Sequence, residues 1–505
     1  ESGGVSEESQ LGGANSVLGA VESSRPSEGD PILAEPTDEV EIPWCMKTRE
    51  VDFSGRNFEE LPAVVYDCVA LMSLDVSSNL LRSLPGELGQ LRMLRELFAS
   101  HNSFWDTQEP LDVGALYSLR VLDVSFNGME RFPQGLFRLK QLETLDVSRN
   151  LISLVPVDVK HLSSLRQLRM ESNSLGLLPD CIAWLDNLEV LQGFDNNITH
   201  FEDQMAFPPK LRTLDLHSNR ITAVKPSQFS RCTQLHNLNL SNNQVGYLDE
   251  QLFRWQLHSL LELHLANNRF PNLPRSIGFL ERLTVLDVSR NSELTALPKS
   301  IGRLRSLAKL DASNCALQFL PRSIGRLKHL QKLLLGGNRI VELPPTIGLL
   351  EELTVLDLSR NSLHKLPPTL ILVLGHETVS FNVSENPDIV SPPVEVCECG
   401  REAVVEFLSK VPQTLQEMEE GWEVLDPTAE EDEMLFDLSE KDLSWSGELQ
   451  SSLLYSQFLQ AATSRPSKDP TPQAPQSVDG SGRQQRQYQE QGGQGWLSYL
   501  TSWLW

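Results

Sequence analysis

Eight residues carry chemically diverse side chains, and they recur at intervals of about 23 residues. Together they offer guanidinium, carboxylate, amide, imidazole and phenyl groups. Such groups ion-pair, hydrogen-bond and stack, which is the chemistry of recognition. We therefore interpret them as a binding surface for a protein, formed by Arg169, Glu171, Gln192, Phe194, Asp195, His217, Asn239 and His264. Neutral drift would also explain their diversity.

Motifs that would support catalysis are missing from the sequence. It has no GxxxxGK(S/T) phosphate loop, no kinase signature set, no GxSxG nucleophile elbow, no HExxH and no CxxC pair. The 10 histidines are scattered, without the local pairing that metal ligands show. The sequence thus predicts a non-enzyme that has no catalytic residue, no metal site and no cofactor.

The elements that must position the eight residues belong to an internal repeat. The pattern LxxLxLxxN recurs at steps of 23, 24 or 25 residues, and a degenerate first copy ends at Arg56. The final positions of the other copies, here called the ladder positions, are Asn79, Asn102, Asn127, Asn150, Asn173, Asn196, Asn219, Asn243, Asn268, Asn291, Cys315, Asn338, Asn361 and Asn386. This period is that of leucine-rich repeats, in which each copy supplies one short strand and a return segment.

The predicted fold class is α/β, a curved leucine-rich repeat solenoid of about 15 repeats. Parallel strands should line its concave face, and short helices or 3₁₀ turns should line its convex face. We predict a disordered acidic segment over 1–46, the repeat array over 47–395 and a cap helix over 396–411. An acidic, then Pro/Gln/Gly-rich, largely disordered tail over 412–495 and an aromatic terminal peptide over 496–505 should follow.

The net charge of −25 lies mainly in the two ends of the chain. Residues 1–47 hold 10 acidic and 2 basic residues, residues 411–505 hold 16 and 5, and residues 48–410 hold 42 and 36. A protein that binds nucleic acid needs a dominant basic face. The composition therefore argues against a nucleic-acid partner and favours a protein partner.

Two smaller surfaces also depart from the repeat consensus. One combines Glu96, Phe98, His101 and Trp105, and the other is a basic docking zone that includes Arg303, Arg305, Lys309, Arg326, Lys328 and Lys332. Between residues 299 and 339 there are nine basic residues against Asp311 alone. Neutral drift or a solvated face would also explain these features. The basic zone otherwise suits the chain's own acidic tail, an acidic partner or anionic lipid.

The terminal peptide places four apolar residues on one face at helical spacing. These are Trp496, Leu500, Trp503 and Leu504. Such a stripe suits a partner-binding peptide, a segment that docks back on the array, or a peripheral membrane contact. No apolar run approaches the ~18 residues that a transmembrane helix needs, so we predict no span. We expect a monomer.

Three stretches resemble one family. Residues 343–361 read LPPTIGLLEELTVLDLSRN, residues 386–408 pass from Asn386-Pro387 to GREAVVEFL, and residues 49–56 read REVDFSGR. Over residues 47–410 the chain resembles the plant branch of the intracellular Ras-group leucine-rich repeat proteins. The resemblance implies a cytoplasmic scaffold or adaptor in signal transduction, related to animal proteins that bind Ras-type GTPases. The alternative is a substrate-recognition subunit of a ubiquitin ligase or another enzyme complex.

Overall fold

A parallel sheet runs the length of the repeat array. The computed structural model describes residues 48–105, 111–202, 204–254 and 256–411. Fifteen strands of three residues pair in chain order, so the predicted leucine-rich repeat solenoid is confirmed. They are β1 (Glu50–Asp52), β2 (Ser73–Asp75), β3 (Glu96–Phe98), β4 (Val121–Asp123), β5 (Thr144–Asp146), β6 (Gln167–Arg169), β8 (Val190–Gln192), β10 (Thr213–Asp215), β11 (Asn237–Asn239), β12 (Glu262–His264), β13 (Val285–Asp287), β14 (Lys309–Asp311), β15 (Lys332–Leu334), β16 (Val355–Asp357) and β17 (Ser380–Asn382). Two shorter strands, β7 (Leu177–Leu178) and β9 (His200–Phe201), form a separate pair.

One register holds throughout the sheet, because each strand pairs with its repeat-equivalent residues in the next. The middle residue of a strand, such as Leu168 or Leu214, is fully buried. Its two neighbours point to the opposite side of the sheet, as successive residues of a strand must. We call that side the outer face. Every residue with the same repeat position therefore falls in one column across it.

The ladder asparagines join each repeat to the one before it. The Nδ2 group of Asn291 donates to the carbonyl oxygens of Leu265, Val288 and Ser289, and its Oδ1 accepts from the backbone N–H of Asn268. Turn peptides have no sheet partner, so these bonds satisfy backbone groups that would otherwise be buried unpaired. Cys315 replaces this amide with two contacts of its Sγ, to the carbonyl oxygens of Val288 at 3.3 Å and Ser313 at 3.6 Å.

The residue before each ladder position adopts a left-handed backbone conformation. Its φ lies between 52° and 58° in residues as different as His101, Phe126, Arg149 and Asp195. Residues with a Cβ rarely adopt this conformation. The turn therefore holds whichever side chain the sequence places there, and it presents that side chain beside the outer face.

Short 3₁₀ helices form the return side, as expected. They span Ala63–Asp67, Gly86–Gln90, Leu136–Arg138, Val157–His161, Asp180–Trp184, Pro226–Phe229, Arg275–Phe279, Lys299–Arg303, Arg322–Arg326, Pro345–Leu349 and Pro368–Leu370. A proline in extended conformation, such as Pro298, precedes most of them and fixes the entry of the chain. A Cβ on Gly302 would collide with the backbone of Ser323 in the next repeat. Glycine therefore permits the close stacking of consecutive 3₁₀ helices.

Three α-helices close the array: α1 (Ile371–Leu374), α2 (Val394–Glu398) and α3 (Arg401–Ser409). The predicted cap segment 396–411 thus holds the end of α2 and all of α3, separated at Gly400, where φ is 91°. The guanidinium of Arg401 donates to the carbonyl oxygens of Leu374 and His376, which ties α3 to α1. Within the described residues, no helix has the length and apolarity that crossing a membrane requires.

We expect Asn291→Ala to lower the free energy of unfolding by about 3 kcal/mol, since it leaves several buried backbone groups without partners. Asn187→Ala is the control, because the Asn187 amide donates to the carbonyl of Ser163 at an exposed site. Its effect should stay below about 0.5 kcal/mol. Urea unfolding followed by circular dichroism measures both, and equal midpoints would contradict the role assigned to the ladder.

Candidate functional site

The eight diverse residues come together on five neighbouring strands. Arg169 ends β6, Gln192 ends β8, Asn239 ends β11 and His264 ends β12. Glu171, Phe194 and His217 lie two residues beyond the ends of β6, β8 and β10, and Asp195 occupies the left-handed turn position. The register that pairs Arg169 with Gln192 and Asn239 with His264 makes them one continuous surface, here called the central patch.

The centre of this patch is a stacked pair of rings. The phenyl ring of Phe194 and the imidazole of His217 lie 4.4 Å apart between centroids, at an interplanar angle of 13°. The imidazole is held from the side by Asp215, because Nδ1 of His217 lies 2.7 Å from Oδ1 of that carboxylate. Both rings are half-buried. They form a rigid apolar platform that is already oriented before any partner arrives.

Beside the rings lie Arg169 and Glu171, whose hydrogen bonding is incomplete. Nε of Arg169 and Oε2 of Glu171 are buried and make no hydrogen bond among the described residues. The guanidinium reaches Asp146 at 3.7 Å between Nη1 and Oδ2. Desolvation raises the pKa of Glu171 to about 7, against the opposing influence of Arg169 and Arg149. Unsatisfied buried groups destabilise a fold, so this corner of the patch costs stability.

The rim of the patch is polar and more loosely connected. Nδ2 of Asn239 is 3.5 Å from Nδ1 of His217, and Nε2 of His264 is 3.6 Å from Oε2 of Glu262. The hydroxyl of Ser172 donates to Oδ2 of Asp195. An apolar centre with a polar rim is the usual arrangement of a protein-binding surface.

Sequence reasoning missed two residues that extend the central patch. The imidazole of His101 stacks on Phe126 at 3.9 Å between ring centroids, and the guanidinium of Arg149 lies 4.9 Å from the same ring. Phe126 is 41% exposed, which is unusual for a phenyl group. Its position before a ladder asparagine was the available signal, because that turn residue is always presented beside the outer face.

The second predicted surface divides in the structure. Glu96 and Phe98 lie on the outer face of β3, and His101 reaches the central patch through Phe126 and Arg149. Trp105 lies in the return segment, is 64% exposed and packs near Gly128. The first three residues therefore lengthen the patch, whereas Trp105 stands apart from it.

The recurrent aspartates at the ends of strands have a local structural role. Each of the eight accepts a hydrogen bond at Oδ1 from the backbone N–H of the residue two positions later; they are Asp52, Asp75, Asp123, Asp146, Asp215, Asp287, Asp311 and Asp357. This bond closes the turn that leads to the ladder position. Binding to a partner is therefore not needed to explain why these aspartates recur.

The basic docking zone also separates into two groups. Arg303 and Arg326 end consecutive 3₁₀ helices, and Arg305 and Lys328 follow them on the return side. Lys309 and Lys332 are paired in register on β14 and β15, on the outer face. The terminal peptide of Trp496, Leu500, Trp503 and Leu504 lies outside the described residues.

The buried cysteines of the described array are poor candidates for a reactive centre. Within the described ranges, no three His, Cys, Asp or Glu side chains are grouped so as to hold a metal ion. Cys181, Cys232 and Cys315 are buried and form no disulfide among the described residues. Burial raises the pKa of Cys232 to about 12 and that of Cys315 to about 11. These thiols remain protonated at neutral pH and are therefore poor nucleophiles.

Comparisons with known proteins agree with the fold. Family models described as leucine-rich repeat region and leucine-rich repeat match residues 106–239, 209–270 and 352–373. The human leucine-rich repeats and immunoglobulin-like domains protein 1 is 39% identical over 71 residues, which are 14% of this chain and 6% of that protein. The match thus spans a small fraction of that relative.

Two solved structures are similar to this chain. A leucine-rich repeat protein of Leptospira interrogans is 27% identical and covers 63% of this chain and 92% of its own, with a TM-score of 0.47. The plant peptide hormone receptor RGFR1, solved in complex with RGF2, is 22% identical and covers 65% of this chain and 61% of its own, with a TM-score of 0.51. The repeat array of this chain therefore has the leucine-rich repeat fold, and residues 106–239, 209–270 and 352–373 match leucine-rich repeat models. Leucine-rich repeat proteins generally mediate protein–protein interactions.

The raised pKa of Glu171 predicts a pH-dependent stability. Since the folded carboxyl holds its proton more tightly than the unfolded one, the free energy of unfolding should fall as pH rises from about 4.5 to about 7. Glu171→Gln removes this penalty. Above pH 7 the variant should be more stable than the parent by up to about 2 kcal/mol, after allowance for solvent screening at a half-buried site.

Urea unfolding at pH 5 and pH 8 measures this difference, with Glu96→Gln at an exposed outer-face position as the control. A variant effect that is the same at both pH values would show that the carboxyl of Glu171 titrates normally.

Proposed function

We propose that this protein is a non-catalytic cytoplasmic scaffold that holds a signalling protein against the central patch. The observation that carries the proposal is the stacked Phe194–His217 pair beside the incompletely bonded Arg169 and Glu171. Strong contacts in protein interfaces concentrate on aromatic and arginine side chains surrounded by polar groups. Other repeats have small residues at these positions, so the diverse side chains of the central patch support a role in binding.

The charges around the patch constrain the partner. Glu171, Asp195, Asp215 and Glu262 lie within or beside it, whereas its cations are Arg149 and Arg169. A partner with a basic rim and an apolar centre would complement this distribution. Aromatic or aliphatic side chains of that partner would rest on the platform of Phe194 and His217.

For the identity of the partner we propose a small Ras-type GTPase or one of its regulators. The support is the resemblance of residues 47–410 to the Ras-group leucine-rich repeat proteins. The cytoplasmic location is supported by the same resemblance and by Cys181, Cys232 and Cys315, which form no disulfide among the described residues, since paired cysteines are typical of secreted proteins. The experiment below tests whether this chain binds such a GTPase or regulator.

A double substitution tests the patch. Arg169→Gln with Phe194→Ala removes the guanidinium and one ring of the platform, and we expect at least a tenfold loss of affinity, or about 1.4 kcal/mol, for the main partner. Proximity labelling of the full chain identifies the partners, and isothermal titration of the strongest measures the loss.

The matched control is Lys332→Gln with Leu334→Ala, which changes two outer-face residues of β15 outside the patch. It should leave binding intact, and thermal unfolding should be similar for both double variants. Equal loss of binding in the control would remove the patch from the proposal. Labelling dominated by ubiquitin-ligase subunits, without GTPases or their regulators, would favour the substrate-recognition alternative.

A further inference from the structure

Two phenyl rings of the outer face are stacked on imidazoles, and one of them also contacts a cation. Phe126 stacks on His101 at 3.9 Å between ring centroids, and the guanidinium of Arg149 lies 4.9 Å from the centroid of the same phenyl ring. These three residues hold the left-handed turn position of three consecutive repeats. The ring of Phe126 therefore lies between an imidazole on one side and a guanidinium on the other.

The second phenyl ring, that of Phe194, has a different neighbour on its other side. It stacks on His217 of the following repeat at 4.4 Å between ring centroids, and it makes no cation–π contact among the described residues. Strands β6, β8 and β10 are consecutive in the sheet, so the face of the phenyl ring opposite His217 is turned towards the repeat of β6. The residue at the same repeat position there is Glu171, which is a carboxylate and not a cation.

The carboxylate of Glu171 is short of hydrogen-bond donors. Its Oε2 is buried and makes no hydrogen bond among the described residues. Desolvation raises the pKa of Glu171 to about 7, and the nearby charge of Asp146 raises it further. The backbone N–H of Glu171 itself, Arg169 and Arg149 lower it. An additional cationic donor would stabilise the ionised carboxylate and offset part of the desolvation.

The two arginines that act on Glu171 are directed to other groups of the array. Arg169 reaches Asp146 of the preceding strand, at 3.7 Å between Nη1 and Oδ2. Arg149 lies over the ring of Phe126. The chain therefore supplies a guanidinium to Phe126 but leaves the ring of Phe194 beside a carboxylate.

A second carboxylate lies at the edge of the same region. Asp195 directly follows Phe194 and is exposed, and its Oδ2 accepts a hydrogen bond from the hydroxyl of Ser172 at 2.8 Å. Because Ser172 directly follows Glu171, this bond holds the carboxylate of Asp195 towards the repeat of Glu171. We call Glu171, Phe194 and Asp195 the arginine slot, for the reason that follows.

A guanidinium matches the arginine slot in shape and in charge. It is planar, so one face can stack on a phenyl ring while its edge donates two parallel hydrogen bonds to a carboxylate. A lysine ammonium has a charge of the same sign but no flat face and no fork of donors. Arg149 on Phe126 shows that the outer face accommodates a guanidinium on a phenyl ring that is stacked on an imidazole.

We propose that the central patch recognises an arginine side chain of its protein partner, which stacks on Phe194 and donates to the carboxylate of Glu171. This inference rests on the proposed function and adds the chemical group that the central patch selects. The arginine lies on Phe194 as Arg149 lies on Phe126. The imidazole of His217 supports the phenyl ring from the opposite side.

Fluorine NMR of the full chain at pH 8, with 4-fluorophenylalanine in place of Phe194, tests the slot. The probe is Nα-acetyl-arginine methylamide, and the citrulline analogue is its uncharged control of similar shape. We expect the arginine probe to shift the fluorine resonance saturably and the citrulline probe to leave it unchanged. The matched control chain carries 4-fluorophenylalanine in place of Phe126, whose resonance should not move, because His101 and Arg149 already lie on its two sides.

Glu171→Gln in the chain fluorinated at position 194 should weaken binding of the arginine probe by about tenfold, since it removes the charged hydrogen-bond acceptor. The same substitution is expected to stabilise the fold above pH 7, so unfolding would not explain the weaker binding. Glu262→Gln is the matched control, because it removes an equal charge from the rim of the central patch at β12. It should leave the dissociation constant of the arginine probe unchanged.

Three results would overturn the arginine slot. Equal shifts at positions 126 and 194 would indicate non-specific contact, and equal binding of the citrulline probe would show that the charge is not recognised. An unchanged dissociation constant in Glu171→Gln would show that this carboxylate does not bind the guanidinium.

Titration of the strongest labelled partner separates this inference from the proposed function. If the partner is lost with Arg169→Gln and Phe194→Ala but binds Glu171→Gln as tightly as the parent, the central patch stands and the arginine slot is overturned. If the double variant keeps the partner, the proposed function fails, and the fluorine response to the arginine probe still decides whether the slot binds a guanidinium.

Discussion

The hydrogen bonds of the ladder asparagines are the interaction on which the other features depend. Each amide, as at Asn127 or Asn291, bonds backbone groups of its own turn and of the preceding repeat. These turns run where the sheet offers no partner, so without the amides several buried peptide groups per repeat would lack hydrogen bonds. Because the same bonds recur, the repeats stack in one register. In that register, residues at the same repeat position lie side by side and form columns of side chains.

The two surfaces of the array use these columns differently. On the outer face the aspartates that end most strands bond their own turns, so they stabilise the fold without a partner. The central patch differs, because Nε of Arg169 and Oε2 of Glu171 are buried and make no hydrogen bond among the described residues. Desolvation also raises the pKa of Glu171 to about 7. Residues that lower the stability of an otherwise regular array need a reason other than folding to be present. Recognition of a partner is such a reason.

On the return side the constraint is steric. Proline sets the entry to each 3₁₀ helix, isoleucine fills the core, and glycine lets consecutive helices approach. The remaining positions are free to vary, and in two repeats they became cationic. Around the patch the outer face carries the carboxylates of Glu171, Asp195 and Asp215.

The sequence by itself determined the repeat, its ladder positions, the parallel strands and the residues that face outward, because a periodic pattern allows only one register to bury every leucine. It also separated Arg169 and Phe194 from the consensus. Only the tertiary structure decided that Phe194 stacks on His217 and that Phe126 and Arg149 join His101 to the patch. These outcomes depend on side-chain directions and on the left-handed turn, and on contacts between residues about 23 positions apart, which spacing alone does not specify.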